Sequence, residues 1–441
     1  MSRPDVVLAH VIGERFELPI PLYLFVAGGA AVVLLSFLLV LRSSAEVPAA
    51  VEAPDAVPAR ELNPLASLVS VVVFAAVAVI GLTGSQDITN NLAPIFFWIV
   101  VWIAVPLSCG VLGDWTRLVN PFGVLARLGD SPGLRKQVLA RKAPLVWSFG
   151  WWPALGLFSL LVLFELVFNA TTVKPSFVGV LILIYGLLSF FLGLLFGPAW
   201  RERGEVFTAL WNAWGRLGYW RFGAPGRRGF AGGLDVAFEA TIARVVFVLL
   251  LLVSINFDGL LNTPQWTRFE LHHFGSNTSE QDLFRTVALA ALLVVVLGVF
   301  LAFAYGSTRA GRHQASPFQA LAGLLPSLVP IAFGYLLAHN LQYLLIHLQD
   351  LYPLLKNPGY GDPSTFVANI NVLPSRVNWY VSLIVIVAVH VIAVVLAHRF
   401  LVRSAPDEAS ARKSEYPWLV AMVLYTAFSL VLIALPLASN V

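Results

Sequence analysis

The chain has 441 residues, of which 58% are hydrophobic and 12% charged, about half the share of charge that a soluble domain carries. That balance excludes an ordinary water-soluble enzyme of this length and leaves a polytopic membrane protein. The net charge is +4, and the one cysteine, Cys109, excludes an intramolecular disulfide and any CxxC metal or redox pair.

Residues 1–19 form a short polar head. Asp5, Glu14 and Glu17 stand where a cleavable leader would be basic, so none is expected. Ten apolar segments follow, at 20–41, 65–82, 93–112, 145–168, 176–199, 236–255, 285–305, 319–347, 378–398 and 417–437. Most are near the ~20 residues that cross a bilayer as a helix. The eighth is long and carries Pro326 and Pro330, which predict a tilt or bend. The expected fold class is an all-α integral membrane bundle. It forms one transmembrane domain over 20–437 with a short tail at 438–441.

Basic residues set the orientation. The loops 42–64, 113–144, 200–235, 306–318 and 399–416 carry 20 of the 28 Lys and Arg, against 7 on the opposite side. Those five loops are therefore read as cytoplasmic and both termini as extracytoplasmic. Loop 42–64 is rich in Pro, Ala and acids and reads as a flexible connection. Loops 113–144 and 200–235 interleave arginines with aromatics such as Trp211, Trp214 and Trp220. They fit either helices lying in the headgroup layer or segments packed under the bundle. NPFGVLARLG (120–129), LWNAWGRLG (210–218) and SPFQALAGL (316–324) echo one another too briefly to establish a repeat.

Chemistry is expected in segments eight and nine, which hold four of the eight histidines. Tyr335, His339, Tyr343 and His347 recur every four residues and form one helix stripe. His339 falls in the outer half of its segment and His390 just past the middle of the next, so the two could face each other if the helices pack as neighbours. An ionisable group in hydrocarbon marks a functional site by default, set against a simple hydrogen bond to a carbonyl or to a neighbouring Tyr, Asn or Gln. Paired imidazoles suit a divalent metal such as zinc, or haem iron or copper. His10 and Asp258, at the outer end of segment six, are the candidates to complete a metal set with His339 and His390, though no fixed spacing such as HExxH ties them. Tyr343 is placed to orient water or substrate. His272 and His273 read as solvated. Glu239 and Arg244, five apart on segment six, each suit a partner on another helix.

The stretches AHVIGERFELPIPLYLF, GDWTRLVNPFGVLAR, FDGLLNTPQW, LVPIAFGYLLAHNLQYLL and HVIAVVLAHR together resemble a family of actinobacterial polytopic membrane proteins known as fenitrothion hydrolases. The resemblance runs from residue 9 to about residue 400 and includes His10, Asp258, His339, His390 and His398. It implies a membrane-embedded hydrolase that cleaves an organophosphate triester and releases a nitrophenol. It supplies no catalytic residue set.

The leading expectation is thus a multi-pass plasma-membrane hydrolase for a small apolar substrate, with a divalent metal as its cofactor. The lipid bilayer is its surroundings and nucleic acid is not a partner. A transporter using the same polar stripe, and a haem- or copper-binding membrane protein, are the alternatives.

Overall fold

The computed structural model describes residues 22–41, 64–361 and 366–438. Helices and loops account for all of them, with no strand among the described residues. The head at 1–19, nearly all of the 42–64 loop and the tail beyond Ala438 lie outside them. Eight helices are long and apolar enough to cross a membrane: Pro64–Thr83, Leu92–Leu112, Pro175–Phe196, Ile242–Leu261, Thr278–Ala310, Pro317–His347, Arg376–Ser404 and Glu408–Leu432.

The other two expected segments differ in kind. Leu22–Leu41 is a helix, with its described apolar stretch at Val26–Phe37. Trp152–Leu166 has 15 residues and rises roughly 22 Å at 1.5 Å per residue, short of a ~30 Å hydrocarbon core. It begins later than the hydropathy suggests because 143–149 is not helical, with Leu145 N–H donating to Leu195 O at 2.8 Å. Gly150, at φ +54°, then turns the chain into the helix, a conformation that glycine adopts without a Cβ penalty.

Local chemistry sets many of the helix starts. Asn120, Ser131 and Thr263 accept from backbone N–H groups in the first turns of Pro121–Gly129, Pro132–Leu139 and Pro264–Phe274. Each is followed by proline, whose missing N–H costs nothing at that position. Ser316 and Gln319 cap each other reciprocally ahead of Pro317–His347, at 3.0 and 3.3 Å. The Pro-Phe echo between 120–129 and 316–324 is accounted for by this shared start chemistry. Within Leu92–Leu112, residues Ile95–Ala104 are wound as a π-helix, and Pro106 follows, a residue that removes an N–H from the ladder.

The chain divides into two compact units. The first takes in 64–233, 340–361 and 366–373. Its Pro121–Gly129 and Pro175–Phe196 helices meet backbone to backbone. A Cβ on Gly193 would fall 2.0 Å from Ala126 O, and one on Gly129 would fall 2.1 Å from Phe190 O, the small-residue packing that membrane helices use.

Beside this crossing lies Glu205, fully buried. Its carboxylate accepts from Tyr185 Oη at 2.6 Å, Asn120 Nδ2 at 2.7 Å and Thr208 Oγ1 at 2.6 Å. It also accepts the backbone N–H groups of Phe207 and Thr208, so the charge caps the Val206–Gly215 helix. That helix is buried along its whole length, with Trp211 and Trp214 each 3% exposed. Of the two readings of 200–235, packing under the bundle describes it. Trp220, 46% exposed, stays at the surface with Tyr219 and Phe230.

Two arginines organise neighbouring loops of the first unit. Arg221 donates to the carbonyls of Gly218, Arg227 and Gly229 at 2.6–2.7 Å. Arg135, 1% exposed, donates to Leu194 O at 2.7 Å, Lys142 O at 2.9 Å and Asp130. Asp114 accepts from Thr116 Oγ1 at 2.6 Å and Asn212 Nδ2 at 3.4 Å. Burial outweighs these bonds and raises its pKa above the ordinary carboxylate value.

The second unit comprises 22–41, 234–339 and 374–438. Ile242–Leu261 starts later than the expected 236, so Glu239 precedes the helix. Arg244 is fully buried, its guanidinium 5.0 and 5.3 Å from the ring centroids of Phe238 and Phe247. Segments eight and nine are neighbours here. A Cβ on Gly334 would meet Val389, and one on Gly323 would meet the Phe400 ring. Pro326 and Pro330 both lie inside the continuous Pro317–His347 helix. At the 398–415 end of the unit, His398 Nδ1 is 3.0 Å from the buried Glu415. Arg399 and Arg403 reach Asp235 at 3.6 and 3.5 Å.

Candidate functional site

Glycine lets the Pro317–His347 helix lie close to Ser375–Ser404, and Ile242–Leu261 and Glu408–Ala438 add polar groups to the same unit. One pair is a carboxylate with an imidazole. Asp258, near the C-terminal end of Ile242–Leu261, places Oδ2 2.8 Å from His339 Nε2, and both side chains are partly exposed. A carboxylate beside an imidazole is the kind of pairing in which an Asp orients a general base.

His390 is a different kind of histidine. It is 1% exposed, and its Nδ1 lies 2.6 Å from Ile386 O, one turn back on its own helix. A carbonyl only accepts, so Nδ1 carries the proton and Nε2 keeps the lone pair. The Tyr335 ring stands edge-on to it, centroids 6.2 Å apart. Tyr335 lies one turn before His339, on the same helix face. Asn256 Nδ2 donates to Tyr425 Oη.

The remaining candidates fall elsewhere. Tyr343 belongs to the first unit, where its ring packs edge-on against His347, centroids 4.4 Å apart, and His347 Nδ1 is 3.0 Å from Asp350. His10 lies outside the described residues. His272 and His273 are exposed on the Pro264–Phe274 helix, with His273 Nδ1 donating to Phe269 O. No three His, Cys, Asp or Glu side chains converge as a metal-binding group among the described residues.

Sequence reading grouped Asp258 with His339 as candidate metal ligands. It missed Asn256 and Tyr425, whose signal is a polar side chain inside an otherwise apolar span. No protein-family model matches the chain, and no curated protein or solved structure matches it either.

Proposed function

We propose that the chain is a ten-span plasma-membrane protein with both termini extracytoplasmic, and that it hydrolyses a small apolar phosphotriester of the fenitrothion class. The pairing of Asp258 with His339 at 2.8 Å carries this reading. Orientation rests on the excess of basic residues in the odd-numbered loops, which puts the pair in the outer half of the bilayer. A triester partitions into lipid, so a base at that depth meets its substrate where it is concentrated.

In the proposed reaction His339 takes a proton from a water molecule as its oxygen attacks phosphorus. Asp258 holds the ring and balances the imidazolium charge. A nitrophenolate is stable enough to leave without help from an acid, and the proton returns to solvent as the cycle closes. General-base catalysis of this kind contributes about 10²–10⁴ in rate. Catalytic zinc takes three protein donors. The described residues place two together, His339 and Asp258, and His10 is the third that the proposal names for a divalent ion.

A transporter is the second reading. The observation that favours it is the spread of polar groups across four helices of the second unit, from Asp258 and His339 to His390 and Tyr425, as along a solute path. Purified chain in proteoliposomes separates the two: release of chromogenic nitrophenol, lost in His339→Ala, supports the hydrolase. Flux of intact solute with no product formed would overturn it.

A further inference from the structure

The last carbonyls of a helix find no partner within the helix itself. At the end of Leu92–Leu112, one of the eight helices long and apolar enough to cross a membrane, a loop of the first unit supplies partners. Tyr219 N–H donates to Val111 O at 3.1 Å, and Trp220 N–H to Leu112 O at 2.8 Å. Glycine on each side permits the approach. A Cβ on Gly113 would fall 1.9 Å from Trp220 O, and one on Gly218 would fall 2.1 Å from Gly113 N. Two aromatic residues are thereby fixed at the level where an apolar span stops, next to Val111 and Leu112, which are themselves exposed. That level is the boundary between hydrocarbon and headgroups, where Trp and Tyr collect in membrane proteins.

The loop holds its rings outward. The Arg221 guanidinium gathers the carbonyls of Gly218, Arg227 and Gly229, and Gly229 N–H donates to Tyr219 O at 3.2 Å. That last bond folds Arg228 and Phe230 back toward Tyr219. The Tyr219 ring stands edge-on to Trp220 and to Phe230, with centroids 5.4 and 5.5 Å apart. The three residues are 39%, 46% and 61% exposed, and a contiguous exposed apolar patch marks a surface that something covers.

Charge selects the cover. The stretch 206–234 contains Arg216, Arg221, Arg227 and Arg228 and no Asp or Glu. Arg216 is buried and Arg221 is committed to carbonyls, while Arg228 is exposed beside Phe230. Rings at the hydrocarbon boundary with a guanidinium at their edge match a lipid whose headgroup carries a net negative charge, and a guanidinium offers paired N–H donors to its phosphate.

We propose that Tyr219, Trp220, Arg228 and Phe230 form a docking surface for anionic phospholipid, with the rings among the headgroups and Arg228 on the phosphate. The anchor is a pinned loop and not a helix lying in the membrane plane. It stands whether the chain is a hydrolase or a transporter, and whichever side of the membrane this end of Leu92–Leu112 faces.

The test uses the full chain in nanodiscs of phosphatidylglycerol and phosphatidylcholine in equal parts. One lipid or the other carries a photoreactive diazirine next to its phosphate. Trypsin, cutting after Arg216 and Arg221, releases 217–221 with Tyr219 and Trp220, and mass spectrometry reads the lipid attached to it. The phosphatidylglycerol probe should label this peptide about fivefold more than the phosphatidylcholine probe, the weight of one basic side chain at an anionic surface. Arg228→Gln, at an unchanged thermal midpoint, should bring the two yields together, and Phe230→Ala should lower both. Equal yields on the wild-type chain, or a preference that Arg228→Gln leaves intact, would overturn the proposal. So would a 217–221 peptide free of both lipids, the outcome expected if the rings dock a protein instead.

Discussion

Asn120 Nδ2 donates to Glu205 Oε2 across 2.7 Å, and each of these residues is at the same time the N-cap of a helix. The bond joins the starts of two helices that are 85 residues apart in the chain. Removing the carboxylate leaves Tyr185, Asn120 and two backbone N–H groups without their acceptor. Glu205→Ala should therefore cost on the order of 3 kcal/mol, read as a fall in the thermal midpoint of the chain in nanodiscs. Glu205→Gln should cost less, because an amide oxygen still accepts.

Asp258→Asn should lower nitrophenol release about 10²-fold or more while leaving the helix content unchanged. The amide can still touch His339 but carries no charge to balance an imidazolium. Activity at the wild-type level in this variant, measured beside an inactive His339→Ala, would remove Asp258 from the proposed chemistry.

Asp114 gives a pH signature. Its carboxyl is held above its ordinary value of 3.8 by burial, so the unfolded chain releases this proton first as pH rises. The contribution is fully present below that ordinary value and is lost as pH climbs through the raised folded one. Asp114→Asn keeps an acceptor for Thr116 and removes the ionisation. The variant should melt higher than wild type at pH 7, and the gap should close in acid. A gap of the same size at both pH values would tie the effect to packing instead.

Arg135 binds three acceptors with a planar fork that an ammonium group cannot reproduce. Arg135→Lys keeps the charge yet should destabilise by about 2 kcal/mol, and trypsin should cut more readily within 139–145, the loop that the arginine ties to Leu194 and Lys142. An unchanged cleavage rate would show that the loop is held by other contacts.

Hydropathy and length made the spanning helices legible, because a bilayer demands both in one continuous run. They failed at 143–150, where the chain stays apolar but its backbone bonds to the end of another helix, and at Glu239, which the same smoothing placed inside a helix. Asp258 and His339 could be nominated as ionisable residues in hydrocarbon, and their pairing depends on which helices touch, which one sequence does not encode locally. Glu205 was harder still. It sits in a basic, aromatic loop and looks solvated, and only its distant partners Tyr185 and Asn120 reveal it as a buried charge. His390 was legible as buried, while its idle nitrogen follows from the Ile386 carbonyl taking the other one.

The glycine crossing of the first unit also bears on how the protein is made. Pro121–Gly129 is too short to rest across a bilayer, and the groove that receives it belongs to Pro175–Phe196, which leaves the ribosome later. The short helix is therefore synthesised before its binding surface exists, and its arginine-bearing flank must wait at the membrane until that partner arrives. A side chain added at Gly193 would leave hydropathy and insertion of the later helix almost unchanged, and would be felt only at this docking step.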